Sequence, residues 1–136
     1  MTEFISRSPE DTDAFALSLA KELRGTEVIA LFGDLGAGKT TLVRSIASHL
    51  GIKSGVHSPT FAIVNEYHGT FPVYHFDMYR ITDVDDLYST GYFDYLSNGI
   101  VIIEWSENIV DSIPEDAIRI ELKYGEDENT RIIRRL

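Results

Sequence analysis

Gly33-Asp34-Leu35-Gly36-Ala37-Gly38-Lys39-Thr40 reads G-x-x-x-x-G-K-[ST], the pattern of a phosphate-binding loop. Gly33, Gly36 and Gly38 carry no Cβ, so the backbone can curl until successive N–H groups, those of Asp34, Leu35 and Ala37 among them, converge on an anion. Lys39 would reach the outer phosphates as a point charge, and the Thr40 hydroxyl suits Mg²⁺, a hard cation that takes oxygen ligands. Downstream, Thr41-Leu42-Val43-Arg44-Ser45-Ile46-Ala47-Ser48-His49-Leu50 places apolar residues at 42, 43, 46, 47 and 50, which is helical spacing. That helix starts at the phosphate, where its dipole favours negative charge, and Thr41 lies in its first turn. Upstream, Thr26-Glu27-Val28-Ile29-Ala30-Leu31-Phe32 is a short, almost wholly apolar run, as expected of a strand covered on both faces. Strand, loop and helix therefore follow one another in the order that a phosphate loop requires.

Composition limits what can surround this unit. The chain has 136 residues, 43% of them hydrophobic, enough for one domain with a core and too few for a second. It has no cysteine, which excludes disulfides and thiolate metal sites and is compatible with a reducing cytoplasm. Met1-Thr2-Glu3-Phe4-Ile5 lacks the basic start and apolar core of a signal peptide, and no apolar run approaches spanning length. A soluble, cytoplasmic protein without membrane contact is expected. The formal charge of −10 disfavours free-standing RNA binding, which depends on Lys and Arg neutralising phosphates. A nucleotide is also an anion, but backbone N–H groups and Lys39 act at short range, whereas salt screens distant charges over about 10 Å.

Along the chain, Ser8-Pro9-Glu10-Asp11-Thr12 is a helix start, with Ser8 to cap, Pro9 for the first turn and acids at the positive end. Ala14, Phe15, Leu17, Leu19 and Leu23 carry the helix to about Arg24, before Gly25. Residues 51–60 read as an exposed loop with two glycines and a proline; Pro59 restricts its neighbour and Thr60 offers a hydroxyl. Phe61-Ala62-Ile63-Val64-Asn65-Glu66-Tyr67 and Phe71-Pro72-Val73-Tyr74-His75-Phe76-Asp77 form an antiparallel hairpin around His68-Gly69-Thr70. Asp77, at its end, could hold Mg²⁺ through water, orient an attacking water, or only pair with Arg80. Short helices are expected near 82–88 and 91–96. Asp83, Asp85 and Asp86 lack the spacing and terminal Glu of a calcium loop and are helix-start charge.

Gly99-Ile100-Val101-Ile102-Ile103-Glu104 is a second buried strand, and an acid at the carboxyl end of such a strand is placed to face Mg²⁺. Glu104 is the principal candidate for that role. Trp105 could stack on a partner or ligand, or pack against adjoining helices. Residues 117–124 and 130–136 alternate apolar and charged, giving a strand pair around the turn 125–129. Arg131, Arg134 and Arg135 could touch RNA phosphate or an acidic partner, or form a solvated edge that discourages aggregation. The fold class expected is α/β: a single-domain phosphate-loop NTPase with a mixed, mostly parallel central sheet flanked by helices, and antiparallel hairpins.

Three further stretches, Ser58-Pro59-Thr60-Phe61, His75-Phe76-Asp77-Met78-Tyr79-Arg80 and Val101-Ile102-Ile103-Glu104-Trp105, narrow the reading. In this order and at these intervals the chain resembles the TsaE family over roughly residues 5 to 124. The resemblance implies a small bacterial ATPase needed for N6-threonylcarbamoyladenosine at position 37 of tRNA. ATP and Mg²⁺ are the implied cofactors. TsaB-like and TsaD-like proteins are the implied partners, and tRNA is reached through that complex. It also places Ser58-Pro59-Thr60 as a switch segment, moves Asp77 towards a role in hydrolysis, and sets Asp11 and Thr12 beside the nucleotide base unless they are only cap and first-turn residues. Lys39, Thr60, Asp77 and Glu104 are then the candidate catalytic residues, and Thr40, Asp77 and Glu104 the candidate metal ligands.

Two other classes share the phosphate loop. A small-molecule kinase needs a positively charged lid, and between residues 45 and 118 the only Lys or Arg are Lys53 and Arg80. A nucleotide-gated binding module without turnover is the other. A guanine-specific enzyme is disfavoured because Asn108-Ile109-Val110-Asp111 lacks the lysine of N-K-x-D.

Overall fold

The computed structural model describes residues 2–33, 38–53 and 64–136. Its elements in chain order are β1 (Thr2–Ser6), α1 (Pro9–Glu22), β2 (Val28–Gly33), α2 (Lys39–His49), β3 (Val64–His68), β4 (Pro72–Asp77), α3 (Val84–Ser89), α4 (Tyr92–Tyr95), β5 (Ile100–Glu104), β6 (Ile118–Tyr124) and β7 (Arg131–Arg135), with a 3₁₀ segment at Ser106–Ser112 between β5 and β6.

The seven strands form one sheet in the order β1-β7-β6-β2-β5-β4-β3. The apolar runs at β2 and β5 lie side by side and parallel, with Val28 opposite Val101 and Ala30 opposite Ile103. Parallel pairing with β6 and β4 extends this centre on each side. At the margins β4–β3 and β7–β6 are the antiparallel hairpins expected from the sequence, and β1–β7 is a third antiparallel pair that was not expected. Short turns account for two of these pairs, because a hairpin can join only antiparallel strands. The third arises from β1, a strand with no sequence signal of its own, which pairs with β7 from Thr2↔Arg135 to Ser6↔Arg131.

Because β1 covers it, β7 is not the solvated edge that its alternation suggested. Two of its arginines are engaged with acids: Arg134 with Glu3 at 3.7 Å and Glu121 at 3.5 Å, and Arg135 with Glu22 at 2.7 Å.

Helices cover both faces. Ile29, Leu31, Ile100 and Ile102 meet Ala16 and Leu19 of α1 and Leu42 and Ile46 of α2. Ala30, Val101 and Ile103 pack on the opposite face with Leu87, Tyr92 and Ile109. The central strands are consequently buried on both sides, which is why they read as unbroken apolar runs, and each fully buried Ile or Leu contributes about 1.5–3 kcal/mol. Tyr92 anchors the second layer, its hydroxyl donating to Ser112 O at 3.0 Å; burial pushes its ionisation up to about 12. Among the described residues no helix is long and apolar enough to cross a membrane.

The helix starts follow their capping residues. Ser8 caps α1 by accepting from the Asp11 amide, with Pro9 in the first position. Asp83 caps α3 in the same way through the Asp86 amide at 2.8 Å, so the aspartates at 83–86 serve the helix start. α2 begins at Lys39, directly after Gly38, whose φ of 95° is left-handed.

Candidate nucleotide site

β2 and β5 end at the same side of the sheet, and α2 starts there. Gly33 closes β2 with φ 136°. Its carbonyl accepts from Lys39 Nζ at 2.7 Å, and its N–H donates to Glu107 Oε2 at 2.8 Å. Lys39 is buried at 5% exposure, with its ammonium 3.9 Å from the centre of the Trp105 ring. A cation over an indole face is held by the ring quadrupole. Trp105 adopts a left-handed φ of 59° and also packs on Tyr79, ring centres 4.9 Å apart. The indole therefore touches the site through Lys39 as well as the second core layer.

The first turn of α2 delivers Thr40, whose Oγ1 donates to Glu104 Oε1 at 3.0 Å. Glu104 is 5% exposed, and its second oxygen, Oε2, lies 2.6 Å from His75 Nε2. Register places Asp77 opposite Glu104, so two carboxylates stand at adjacent strand ends. Asp77 accepts from the Tyr79 amide at 2.9 Å, and among the described residues no ion pair joins it to Arg80. Burial, foremost, and the neighbouring Glu104 charge raise the Asp77 acid above its ordinary range, against the Tyr79 N–H and the charges of His75 and Lys39. Among the described residues no group of three or more His, Asp or Glu forms a metal cage. The oxygens of Thr40, Glu104 and Asp77 are the hard donors on offer.

Beside Gly38 and Thr41 lies a cleft of about 310 Å³, lined also by Ser6, Ser8, Thr12, Asn129 and Arg131. Thr12 reaches it from α1, although its hydroxyl is 2.6 Å from that of Ser6. Asp11 does not line it: the carboxylate accepts from the Arg7 amide at 2.9 Å. Arg131 stands 4.5 Å over the Tyr124 ring and donates to Glu128 O at 2.7 Å, which holds the guanidinium on the cleft wall.

Of the residues singled out from sequence, Gly33, Gly38, Lys39, Thr40, Thr41, Asp77 and Glu104 converge on this end of the sheet, and Thr12 lines the cleft beside it. Asp34, Leu35, Gly36, Ala37 and Thr60 lie outside the described residues. His75, Glu107 and Arg131 were not foreseen as members. For His75 a signal existed: in H-x-D, residues two apart on a strand share a face, so His75 had to accompany Asp77. Glu107 and Arg131 come from distant segments and carry no local signal.

Comparison with known proteins accords with this geometry. The sequence profile of the family described as threonylcarbamoyl adenosine biosynthesis protein TsaE matches residues 6–133. The tRNA threonylcarbamoyladenosine biosynthesis protein TsaE of Aquifex aeolicus is 41% identical over 137 residues, covering 98% of this chain and 95% of that relative. Its Bacillus subtilis counterpart is 39% identical over 127 residues, covering 92% and 79%. The crystal structure of Bacillus subtilis YdiB superposes with a TM-score of 0.77 at 34% identity, over 97% of this chain and 82% of that one. A match of this extent, in sequence and in fold, assigns the chain to the TsaE family.

Proposed function

We propose that this chain is a cytoplasmic ATPase that binds ATP and Mg²⁺ at the carboxyl end of β2 and β5 and hydrolyses the nucleotide to drive or reset a complex of TsaB-like and TsaD-like proteins. Membership of the TsaE family places it in threonylcarbamoyladenosine modification of tRNA. The observation that carries the ATPase reading is the 3.0 Å bond from Thr40 Oγ1 to Glu104 Oε1. It joins the first turn of the helix after the glycine-rich loop to the acid at the end of a buried strand, 64 residues away.

The donor set fits Mg²⁺, which is held by one or two carboxylates and a hydroxyl while keeping waters and substrate phosphates in its shell. When bound, the cation would neutralise charge on the phosphate oxygens. Lys39 exchanges its bond to Gly33 O for the outer phosphates, and Trp105 keeps its ammonium aimed at them. Glu104 orients the hydrolytic centre, with Asp77 beside it to hold water. Thr60 belongs to the switch segment that responds to the γ-phosphate. The nucleoside end occupies the cleft at Thr12, Thr41 and Arg131. Turnover by the chain alone is slow, because phosphate-loop enzymes commonly take part of their catalytic charge from a partner.

Phosphate release and ATP binding measured on Lys39→Ala and Glu104→Ala test the reading. Lys39→Ala should lose binding, whereas Glu104→Ala should retain it and lose turnover by about 10²-fold. Addition of TsaB-like and TsaD-like partners should accelerate release by the parent chain. Equal turnover in the parent and Glu104→Ala would favour a nucleotide-gated module, and phosphorylated metabolite in place of free phosphate would favour a kinase.

A further inference from the structure

Among the described residues, the two oxygens of Glu104 meet partners of different kinds. Oε1 is met by the Thr40 hydroxyl, which sits at the start of α2 and is also the group best placed to turn towards a bound cation. Oε2 is met by the His75 ring at 2.6 Å, and His75 is wholly buried. A change of partner at Oε1 therefore leaves Oε2 held.

His75 belongs to no other polar network among the described residues, where its Nδ1 has no hydrogen-bond partner. Nε2 is thus the ring atom through which His75 meets a polar partner, and against a carboxylate oxygen at 2.6 Å it acts as the donor. On its face of the sheet His75 stands between apolar and polar neighbours, with Asn65 opposite on β3 and Asp77 next along β4. Val73 precedes it on β4 and Ile102 is opposite on β5. Packing alone would be served better by another branched aliphatic side chain, since a buried ring nitrogen without a partner is costly.

We infer that His75 is a positioning residue for Glu104: its Nε2–H fixes the orientation of the carboxylate through Oε2 while Oε1 is left to exchange partners during turnover. The inference rests on the ATPase reading and adds to it the group that acts through Glu104. An outer partner of this sort affects the chemical step more than ground-state binding, with losses of about 10–100-fold when it is removed.

The test separates donor position from mere bulk. A glutamine amide places its N–H near the former Nε2, whereas an asparagine amide places it near Nδ1. His75→Ala and His75→Asn should lower kcat by about 10–100-fold with KM for ATP within about twofold, and His75→Gln should recover most of kcat. On the nucleotide-free protein, the His75 Nε2 proton should give a slowly exchanging, downfield NMR signal that moves upfield in Glu104→Gln. Should the alanine variant fail to fold, the contrast between the two amides decides. Equal kcat in His75→Gln and His75→Asn, wild-type kcat in His75→Ala, or an Nε2–H signal unmoved in Glu104→Gln would overturn the inference, provided Glu104→Gln itself has lost turnover. Full turnover in Glu104→Gln would instead remove the role of Glu104 in hydrolysis, and this inference with it.

Discussion

Asp77 and Glu104 face each other at adjacent strand ends, an arrangement that disfavours two charges. The Asp77 acid is raised chiefly by burial, then by the Glu104 charge, against the opposing Tyr79 amide. Folding thus prefers the protonated form. That preference is fully present below the ordinary aspartate range and is lost as pH rises through the raised folded value, so at neutral pH the ionised carboxylate weighs against the nucleotide-free fold. Asparagine keeps the shape and can accept from the Tyr79 N–H. Asp77→Asn should raise the melting temperature near pH 7, and the gain should vanish below about pH 4; melts across this range check it, and a gain that persists in acid would show that repulsion is not its source. Gly33 gives a second prediction at this scale. Its φ of 136° is left-handed, and an added Cβ would run into the Leu122 carbonyl across the β2–β6 pairing. Gly33→Ala should therefore destabilise the nucleotide-free protein by at least about 2 kcal/mol, measured by urea unfolding. A purely ligand-contacting glycine would show no such loss.

Secondary elements here are held by end-groups as well as by apolar faces. The Ser8 hydroxyl accepts from the Asp11 amide at 3.2 Å to start α1, and Ser8 lines the cleft as well. Ser8→Ala should cost about 1 kcal/mol, whereas Ser8→Asn, another good cap, should cost little; thermal melts of the two variants check this, and an equal loss in both would point to the cleft rather than the cap. Most elements could be read from local sequence, for physical reasons that also mark where reading stops. β2 and β5 are apolar because they are covered on both faces, and α2 repeats its apolar residues at helical spacing. β1 has neither sign, since Thr2-Glu3-Phe4-Ile5-Ser6 becomes a strand only through β7 at the far end of the chain. The same missing long-range information turned β7 into an expected edge and hid the β1–β7 pair. At the site, Lys39, Thr40, Glu104 and Asp77 were legible because each sits in a local motif. Glu107 on the Gly33 amide and Arg131 on the cleft wall depend on chain crossings that no short window contains.

The whole chain carries a formal charge of −10, and its cations are unevenly committed. Lys39 is folded over Trp105 and onto Gly33 O. Arg119 donates to the carbonyls of Pro114, Glu115 and Ala117, and Arg134 and Arg135 are paired with glutamates. The β7 arginines that alternation made candidates for tRNA phosphate are thus partly neutralised before any RNA arrives. A phosphate backbone is gripped by releasing its counterions to Lys and Arg, and each phosphate neutralised adds close to one unit to the salt dependence of binding. A surface with this balance has little to offer in that exchange and repels the polyanion at distances where salt does not screen it. ATP bound as proposed would escape the same repulsion, because its contacts at Lys39, Arg131 and the helix start would be short-range. The expectation is that the purified chain leaves the fluorescence anisotropy of labelled tRNA unchanged at 0.15 M salt, while ATP still binds, and that tRNA engagement appears only when TsaB-like and TsaD-like proteins are present. Tight tRNA binding by the chain alone, weakening steeply between about 50 and 200 mM salt, would mean that a basic track is assembled from arginines whose glutamate partners give way. Charge reversal at Arg134 and Arg135 would then have to abolish it.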